Sequence, residues 1–245
     1  MRTSRVFVRF AEGLLSGTEI ELPDDTTHHL IRVLRLQQHD PVRVFNGEGE
    51  EWAGTLVQHS KKKSGVRIAT ALPPATRPLP VYMGIALIKG DALDRSVQKC
   101  VELGVASIDP LYSDYCSVRH DVSQESRRQT HLERIIIAAC EQSGARYLPT
   151  LSRHTHVDEL VRARDASSPH QFVVLDPTGD VFPDALPRHP TTLMVGPEGG
   201  WSAAELGRFH SLGVQVFRLG SQILRAETAP MVALAALRHG WRWAD

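Results

Sequence analysis

Two patterns of hydrophobic and polar residues divide the chain. In the first part, short runs such as RVFVRF, PVRVF and GVRIATAL alternate apolar and polar positions, as strands with one buried face do. Glycines between PVRVF and EWAGTLV predict a hairpin turn around residues 46–49. Between the strands, TTHHLIRVLRL has helical spacing, with Leu30, Val33 and Leu34 on one face. These features predict a small β-barrel domain over residues 1–72.

From residue 81 onward, apolar runs alternate with helical patterns. VYMGIALI, SIDPLYS, FVVLD, TLMVG and VQVFRLG are typical of strands buried on both faces. After the first run, Leu93, Val97 and Val101 share one helical face, with Asp91 as the expected N-cap and Gly104 as the end. Strands that alternate with helices predict an α/β fold with a mostly parallel sheet.

A proline-rich segment, ALPPATRPLP, separates the two patterns. Because proline lacks a backbone N–H and fixes φ, this segment can continue neither a sheet nor a helix. We therefore predict domains at 1–72 and 81–245, joined by a linker at 73–80. Within the second domain, the polar stretch 117–128 predicts an exposed loop, followed by a helix around ERIIIAACEQSG.

Composition excludes some classes of protein but does not select a function. The 28 basic residues balance the 28 acidic ones, and the 42% of hydrophobic residues is enough for a buried core. The first 80 residues carry 11 basic and 9 acidic side chains, so they are mildly positive. There is no C-x-x-C pair, no apolar leader and no apolar run of membrane-spanning length. A cytoplasmic protein without a membrane segment is expected.

Twelve histidines raise the question of a metal site. His28 with His29, and His154 with His156, are the closest pairs. No third ligand stands at a recognised spacing, and the H-E-x-x-H motif is absent. We expect no bound metal.

The stretch LMVGPEGGWSAAE, residues 193–205, has the strongest functional signal. Its glycines follow an apolar run, and Ser202 with Glu205 forms a capping box that opens a helix. Such a turn can direct unpaired N–H groups and the positive end of a helix dipole towards a ligand. The stretch has neither the dinucleotide fingerprint nor the P-loop pattern, and a tight turn without a ligand is the competing interpretation.

A second loop strengthens this interpretation. LGSQILRAETAPM, residues 219–231, follows the strand pattern VQVFRLG and precedes an apolar helix. Ligands of open α/β sheets bind beyond the carboxyl ends of the strands, so two such loops can face one crevice.

Together these motifs resemble the ribosomal RNA small subunit methyltransferase E family, within the SPOUT class of methyltransferases. The resemblance rests on GPEGG followed by S-x-x-E, on LG-x-x-ILR-x-ETA, and on HLIRVLR, KGDALDRSVQKCVELGV and ACEQSGAR. It covers nearly the whole chain. Ala226 departs from the family, which often has threonine there.

The resemblance implies a fold and an activity. The fold would be a SPOUT-type, mostly parallel sheet with a C-terminal trefoil knot within about residues 172–231, preceded by a PUA-like, RNA-binding β-barrel. The activity would be methylation, from S-adenosylmethionine, of N3 of a uridine in the decoding region of 16S rRNA, on the small ribosomal subunit and by a homodimer. By matching motifs, the cofactor-binding residues would be Leu175, Gly196, Glu198, Gly200, Leu219, Ile223, Leu224 and Ala229.

Methylation at N3 of a uridine requires loss of the imide proton while O2 and O4 gain negative charge. Arg225 is the candidate for stabilising that charge, and Glu141 or Glu227 is the candidate proton acceptor. Three structural interpretations stay open: Glu227 can be a partner of Arg225, Glu141 can lie at an exposed helix end, and Glu198 can simply fix its turn.

A set of basic residues is the candidate RNA-binding surface, although a merely solvated charged face would have the same composition. The predicted RNA-binding residues are Arg2, Arg5, Arg9, Arg32, Arg35, Lys61, Lys62, Lys63 and Lys89. Two other functions stay open: a SPOUT enzyme that methylates a ribose 2′-hydroxyl, and a non-catalytic RNA-binding protein of the same fold.

Overall fold

The computed structural model describes residues 3–10, 13–60, 62–77, 79–117, 122–163 and 170–243. The chain forms two compact units. The first combines Met1–Arg77 with Cys140–Leu148, and the second combines Pro78–Ala139 with Pro149–Asp245. Residues 140–148 were predicted to belong to the second domain, whereas the structure groups this segment with the first unit.

The first unit is built on a five-stranded sheet with strand order β1-β3-β4-β5-β2. β1 pairs with β3 in parallel, and the other pairs are antiparallel. The predicted hairpin is present, since β3 and β4 pair around residues 46–50. The elements are β1 (Ser4–Phe7), β2 (Glu19–Glu21), α1 (Asp24–His28), a π-helical turn (His29–Val33), β3 (Pro41–Phe45), β4 (Glu51–Gln58) and β5 (Ser64–Ala71).

Buried ion pairs attach the segment Cys140–Leu148 to this sheet. The carboxylate of Glu51, 2% exposed, lies 2.7 Å from Nε of Arg5 and 2.7 Å from Nε of Arg146. The Arg5 guanidinium also donates to the carbonyl oxygens of Cys140, at 2.6 Å, and Ala145, at 3.1 Å. A buried charge is strongly destabilising when its partner of opposite charge is lost. These contacts therefore hold β1, β4 and the segment together. The pattern of hydrophobic residues does not report such contacts.

The helix predicted from TTHHLIRVLRL is present, but its buried face is smaller than predicted. Leu30 is fully buried, whereas Val33 is 58% exposed and Leu34 is 45% exposed. The reason is that the α-helix becomes a π-helical turn at His29, which rotates the following side chains away from the expected face.

The second unit is an α/β fold around one seven-stranded sheet. Its elements are β6 (Val81–Ala86), α2 (Asp91–Glu102), β7 (Ser107–Tyr112), α3 (Val122–Ser143), β8 (Thr150–Leu151), β9 (Thr155–His156), α4 (Val157–Ala163), β10 (Gln171–Val181), β11 (Thr191–Val195), α5 (Ala203–Ser211), β12 (Gln215–Arg218) and α6 (Ala229–Gly240). The last turn of α3 belongs to the first unit.

All strand pairs described in this sheet are parallel, which confirms the predicted α/β class. The strand order is β12-β10-β11-β6-β7-β8, with β9 also paired to β7. Residues of β10 and β11, such as Val174 and Met194, pack in one core with Leu160 of α4 and Phe209 of α5. Helix α6 packs against β11 and α2. The threading of a knot stays a prediction.

Two helix boundaries differ from the prediction. The N-cap of α2 is Gly90, with φ at 64°, and Asp91 is the first helical residue, without a side-chain cap. Helix α3 begins at Val122, inside the stretch expected to be a loop, and Gln124, Ser126 and Arg127 in its first turns are exposed, as on the solvent face of a helix. The buried face of α2 is as predicted, with Leu93, Val97 and Val101 in the core. None of the described helices combines the length and apolar character needed to cross a membrane.

Candidate active site

β11 ends at Val195 and β12 ends at Arg218, and β10, the strand between them, has an irregular register with β12 after Leu175. In the registers of β10 with β11 and of β10 with β12, Leu175 is the partner of both Val195 and Phe217. The chain segments that follow these residues therefore leave from adjacent positions at one edge. In an open parallel sheet this edge, beyond the carboxyl ends of the strands, is where ligands bind.

The GPEGG turn at the end of β11 is held in place by the helix that follows it. Ser202 accepts the N–H of Glu205 at 3.1 Å, and the Glu205 carboxylate accepts the N–H of Ser202 at 2.8 Å, which confirms the predicted capping box. Trp201, next to Ser202, donates its indole N–H to the carbonyl oxygen of Leu175 at 3.1 Å. The turn is thus fixed both to its own helix and to the neighbouring strand.

At two positions of the loops the structure explains why the residue is glycine. Gly200 has φ at 72°, a left-handed conformation that other residues rarely adopt. A β-carbon on Gly196 would lie 3.1 Å from the Trp201 ring, tighter than ordinary contact. The motif therefore reflects both backbone conformation and the close approach of the indole.

The loops enclose a cavity of about 810 Å³. This volume is within the range of small-molecule and cofactor sites. The side chains around it are mixed: leucine, isoleucine, valine and phenylalanine alternate with carboxylates and arginines. It is lined by Ala92, Leu175, Asp176, Pro177, Val195, Gly196, Pro197, Glu198, Gly200, Phe217, Arg218, Leu219, Gly220, Ser221, Gln222, Ile223, Leu224, Arg225, Ala226, Glu227 and Ala229.

All eight residues that the sequence predicted as cofactor-binding lie in the wall of this cavity. They come from three segments that are distant in sequence, and the sheet register brings the segments together. Leu175 is buried, whereas Ile223 is 84% exposed at the opening. Their part in binding a cofactor stays a prediction, but the geometry allows all of them to contact one ligand.

Arg225 and Glu227 also line the cavity, and they form part of a charge cluster. The Arg225 guanidinium, 86% exposed, is 4.0 Å from the Glu227 carboxylate, and Arg95 of α2 is 3.9 Å from the same carboxylate. The N–H groups of Thr228 and Ala229 donate to the Arg225 carbonyl oxygen, at 2.9 and 3.1 Å. The backbone of Arg225 is therefore fixed while its side chain is free to reach a ligand.

Several lining residues were not predicted from the sequence. Asp176 is buried, and its Oδ1 accepts the N–H and hydroxyl of Thr178 at 2.9 and 2.6 Å. Arg218 donates to the carbonyl oxygen of Gly179 at 2.7 Å. The signal that could have found both residues is their place directly after the apolar patterns FVVL and VQVF, where a parallel strand is expected to end and a ligand to bind.

Glu141, the other candidate proton acceptor, belongs to the first unit. Its carboxylate accepts the backbone N–H of Phe7 at 3.0 Å. Burial of the carboxyl raises the pKa of Glu141 above its ordinary value, although the Phe7 hydrogen bond and the Arg5 charge act in the opposite direction. Glu141 is not among the residues that line the cavity.

The predicted RNA-binding residues differ in their exposure and in the groups that they contact. Arg9, Arg32, Arg35, Lys62 and Lys63 are exposed in the first unit, and Lys89 is exposed in the second. Lys63 is 3.6 Å from the carboxylate of Glu21, and both of these side chains are exposed.

Arg5 requires a correction, because its side chain is only 8% exposed and its guanidinium is bonded to Glu51, Cys140 and Ala145. Its donors hold the protein together, so they do not face solvent where a phosphate could bind. Arg2 and Lys61 lie outside the described residues.

The cysteine thiols are not activated, and the possible metal ligands are dispersed. Burial raises the pKa of Cys100 and of Cys140 to about 12, so these thiols are protonated at neutral pH. Burial also raises the pKa of Cys116. In the part of the chain that the structure describes, no three histidine, cysteine or acidic side chains are grouped in a way that could hold a metal ion.

Comparison with known protein families agrees with this architecture. A family model described as an RNA methyltransferase domain matches residues 75–238. A second, described as an RNA methyltransferase PUA domain, matches residues 22–68. The first match alone covers more than half of the chain.

Two similar proteins share the same name. The ribosomal RNA small subunit methyltransferase E of Synechocystis sp. is 31% identical, over 92% of this chain and 74% of its own length. The protein of that name from Buchnera aphidicola is 27% identical, over 97% of this chain and 96% of its own.

Two solved structures extend the likeness to three dimensions. The ribosomal RNA small subunit methyltransferase E of Neisseria gonorrhoeae, bound to S-adenosyl methionine, has 29% identity and a TM-score of 0.87, covering 97% of this chain and 98% of that chain. The Legionella pneumophila protein Lpg2936, in complex with the cofactor SAM, has 32% identity and a TM-score of 0.88, covering 98% of both chains. With its parallel sheet, its cavity at the strand ends and these matches, the chain belongs to the ribosomal RNA small subunit methyltransferase E family of RNA methyltransferases.

Proposed function

We propose that this protein transfers the methyl group of S-adenosylmethionine to N3 of a uridine in the decoding region of 16S rRNA, acting on the small ribosomal subunit in the cytoplasm. The observation that carries the proposal is the cavity wall in which all eight predicted cofactor residues meet Arg225 and Glu227. Membership of the methyltransferase family supports the same activity.

The chemistry of the cavity fits S-adenosylmethionine, which supplies an electrophilic methyl group when it is bound. The molecule combines a flat base, ribose hydroxyls, an ammonium, a carboxylate and a sulfonium. Leu175, Leu219 and Leu224 offer apolar contact for the base, and the loop backbone offers hydrogen bonds to its edge. The carboxylates of Asp176 and Glu198 suit the cationic groups and the ribose, and Arg218 suits the carboxylate.

Arg225 is the proposed stabiliser of negative charge on the target uracil. Loss of the N3 proton places charge on O2 and O4, and a guanidinium offers a planar pair of donors to such oxygens. The exposed side chain of Arg225, held on a fixed backbone at the cavity, meets this requirement.

Glu227 is the proposed proton acceptor because it lines the same cavity as Arg225. Glu141 is the second candidate, favoured by its raised pKa, since a carboxylate that binds protons more strongly is a better base. The two are separated by replacing each with glutamine. The true acceptor is the one whose replacement lowers turnover and abolishes the acidic limb of the pH profile while cofactor affinity is kept.

The first unit is proposed to bind RNA through phosphates. Arg9, Arg32, Arg35 and Lys62 are exposed cations on this unit, which matches a PUA domain over residues 22–68. Lys89 is proposed to add a phosphate contact from the second unit. Arg5 is omitted because its guanidinium is bonded within the protein.

The proposed active form is a homodimer. Ile223 at the cavity opening is 84% exposed, and Val232 on α6 is 39% exposed. A second copy that covers these side chains would also shield the cavity from water.

The test is a transfer assay with purified protein, methyl-labelled S-adenosylmethionine and small subunits from cells that lack this methylation. We expect label in 16S rRNA, and no label with subunits that are already methylated. Binding of S-adenosylmethionine to the protein alone, measured by calorimetry, should be unchanged in the presence of chelator. Binding of the cofactor without any transfer to RNA would point instead to a non-catalytic RNA-binding protein, and label on a ribose 2′-oxygen would assign the alternative SPOUT reaction.

A further inference from the structure

An exposed tip of the first unit carries two apolar side chains between two arginines. Arg32, Val33, Leu34 and Arg35 are consecutive and all exposed, with Val33 at 58% and Leu34 at 45%. We call these four residues the 32–35 tip. Consecutive large apolar side chains that point into water are unfavourable unless something covers them in the functional state.

The backbone of the tip is unusual and well fixed. The N–H of Leu34 donates to the carbonyl oxygen of His29 at 2.9 Å, a π-type bond, and the N–H of Leu36 donates to that of Leu30 at 3.0 Å. Leu30 and Leu36 are buried in the core on either side of the tip. Arg35 has φ at 57°, a left-handed conformation that is uncommon for residues other than glycine.

These features have a common effect. A π-helical turn is rare and is found frequently at functional sites, and a left-handed arginine is retained only where the surroundings hold it. Together they turn four side chains outward over a short distance, with a buried leucine as an anchor at each end. The tip is therefore built as a rigid projection.

The charge at the tip identifies the class of partner. Within the described residues, neither Arg32 nor Arg35 takes part in an ion pair, so both cations are available to a partner. Two apolar side chains are too few for the core of a stable protein interface, which typically has about 20–30 residues on each side. Unpaired bases of RNA offer apolar faces with a phosphate on either side, which complements this arrangement.

We propose that the 32–35 tip is a wedge that recognises unpaired bases of the RNA substrate, with Val33 and Leu34 packed on base faces and Arg32 and Arg35 on the flanking phosphates. This rests on the proposed function, since it assumes an RNA substrate. It adds to that function a specific interaction: the tip selects RNA with exposed bases over a regular duplex.

The test compares three variants of the full-length protein for binding to unmethylated small subunits over a range of salt concentrations. Val33→Ser with Leu34→Ser should weaken binding about tenfold, because the two side chains no longer pack on bases, and should leave the salt dependence unchanged. Arg32→Gln with Arg35→Gln should reduce the slope of log affinity against log salt by about one for each phosphate that is no longer neutralised. Leu15→Ser, a matched control in the same unit at a side chain 76% exposed, should bind as the wild type does.

A direct probe identifies what the tip touches. Leu34 is replaced by the photo-reactive residue benzoylphenylalanine, and irradiation on the subunit should produce a crosslink to 16S rRNA. A crosslink only to a ribosomal protein, unchanged affinity of the Val33 and Leu34 double variant, or an equal decrease in affinity with Leu15→Ser would overturn the proposal. Wild-type methyl transfer is measured in the same preparations, so its absence would contradict the proposed function rather than the wedge alone.

Discussion

Burial and hydrogen bonding distinguish two kinds of side chain at the cavity, those that fix its shape and one that can act on a substrate. Glu205 and Ser202 are buried and hold the GPEGG turn, and Asp114 accepts the Ser202 hydroxyl as well. Arg225, by contrast, is exposed, and among the described residues its side chain is paired with one carboxylate, that of Glu227, at 4.0 Å. The first group determines the shape of the site, and Arg225 is free to act on a substrate.

For Arg225→Ala we expect turnover to fall about 10²–10³-fold, the usual effect of removing one donor that stabilises charge in a transition state. Affinity for S-adenosylmethionine should change little, because the residue sits at the cavity opening. Turnover with small subunits and cofactor affinity by calorimetry are both measured. Arg188→Ala, at an exposed arginine that does not line the cavity, is the control. Equal turnover of the two variants would remove Arg225 from the mechanism.

Replacing the cysteines tests whether the reaction proceeds through a covalent intermediate with RNA. Methylation at C5 of uracil needs a nucleophile, usually a thiolate, that attacks C6, whereas N3 needs only a base and charge stabilisation. Since the pKa of Cys100 and of Cys140 is about 12, we expect a variant with all three cysteines replaced by alanine to keep its turnover per folded molecule. The unfolding midpoint should fall, because Cys100 and Cys140 are buried. A covalent adduct with RNA, trapped in the wild type, would contradict direct transfer.

Among the elements, those with regular hydrophobic spacing were predictable from the sequence, and those fixed by backbone conformation or buried charge were not. The core face of α2 followed from Leu93, Val97 and Val101. Its N-cap did not, because Gly90 adopts a positive φ that the helical pattern does not specify. The π-helical turn after His28 changed which side chains are buried, and spacing based on 3.6 residues per turn misassigned Val33 and Leu34.

Helix α5 depends on its capping box. Ser202→Ala removes the acceptor of the Glu205 N–H and the donor to Asp114, so we expect the free energy of unfolding to fall by about 1–3 kcal/mol. Denaturant titration measures the decrease. Ser211→Ala, at the exposed end of the same helix, is the control and should change stability by about 0.5 kcal/mol or less. Equal effects of the two substitutions would mean that the cap does not stabilise the turn.

The end of α3 makes stability depend on pH through Glu141. Its pKa is raised in the folded state, so the folded protein holds the proton more strongly than the unfolded chain does. The contribution of Glu141 to stability is therefore fully present below the ordinary pKa of 4.5 and is lost as pH rises through the raised value. In Glu141→Gln an amide oxygen can still accept the Phe7 N–H.

We expect the stability of the wild type minus that of Glu141→Gln to decrease between pH 4 and pH 7, measured by denaturant titration at each pH. A difference that increases with pH would mean that attraction to Arg5 outweighs the effect of burial.

For the molecule as a whole, the fold class and the cavity residues were predictable because both rest on strand order and loop motifs. The parallel sheet brings residues 175, 196 and 219 into one wall. Membership of Cys140–Leu148 in the first unit was not predictable, because it depends on the pairing of Glu51 with Arg5 and Arg146, residues far apart in sequence. For the same reason Arg5 was assigned to RNA rather than to the protein interior.

The proposed homodimer is tested by light scattering across micromolar concentrations. Helix α6 buries Ala233, Leu234 and Leu237 within its own chain, which leaves Val232 as the exposed apolar side chain on the helix, with Trp243 exposed after it. We expect the mass of a dimer for the wild type and a shift towards monomer for Val232→Asp. A wild-type monomer with full activity would contradict the dimer.

The position of the transferred methyl group decides whether this protein carries out the proposed reaction. Small subunits from cells that lack this methylation are incubated with the protein and S-adenosylmethionine, and nucleosides from the 16S rRNA are analysed by mass spectrometry with mapping of the modified position. We predict one N3-methylated uridine in the decoding region, formed by the wild type and formed about 10²–10³-fold more slowly by Arg225→Ala. A methyl group on C5 or on a ribose oxygen, or no methylation by a folded protein that binds the cofactor, would contradict the proposed activity.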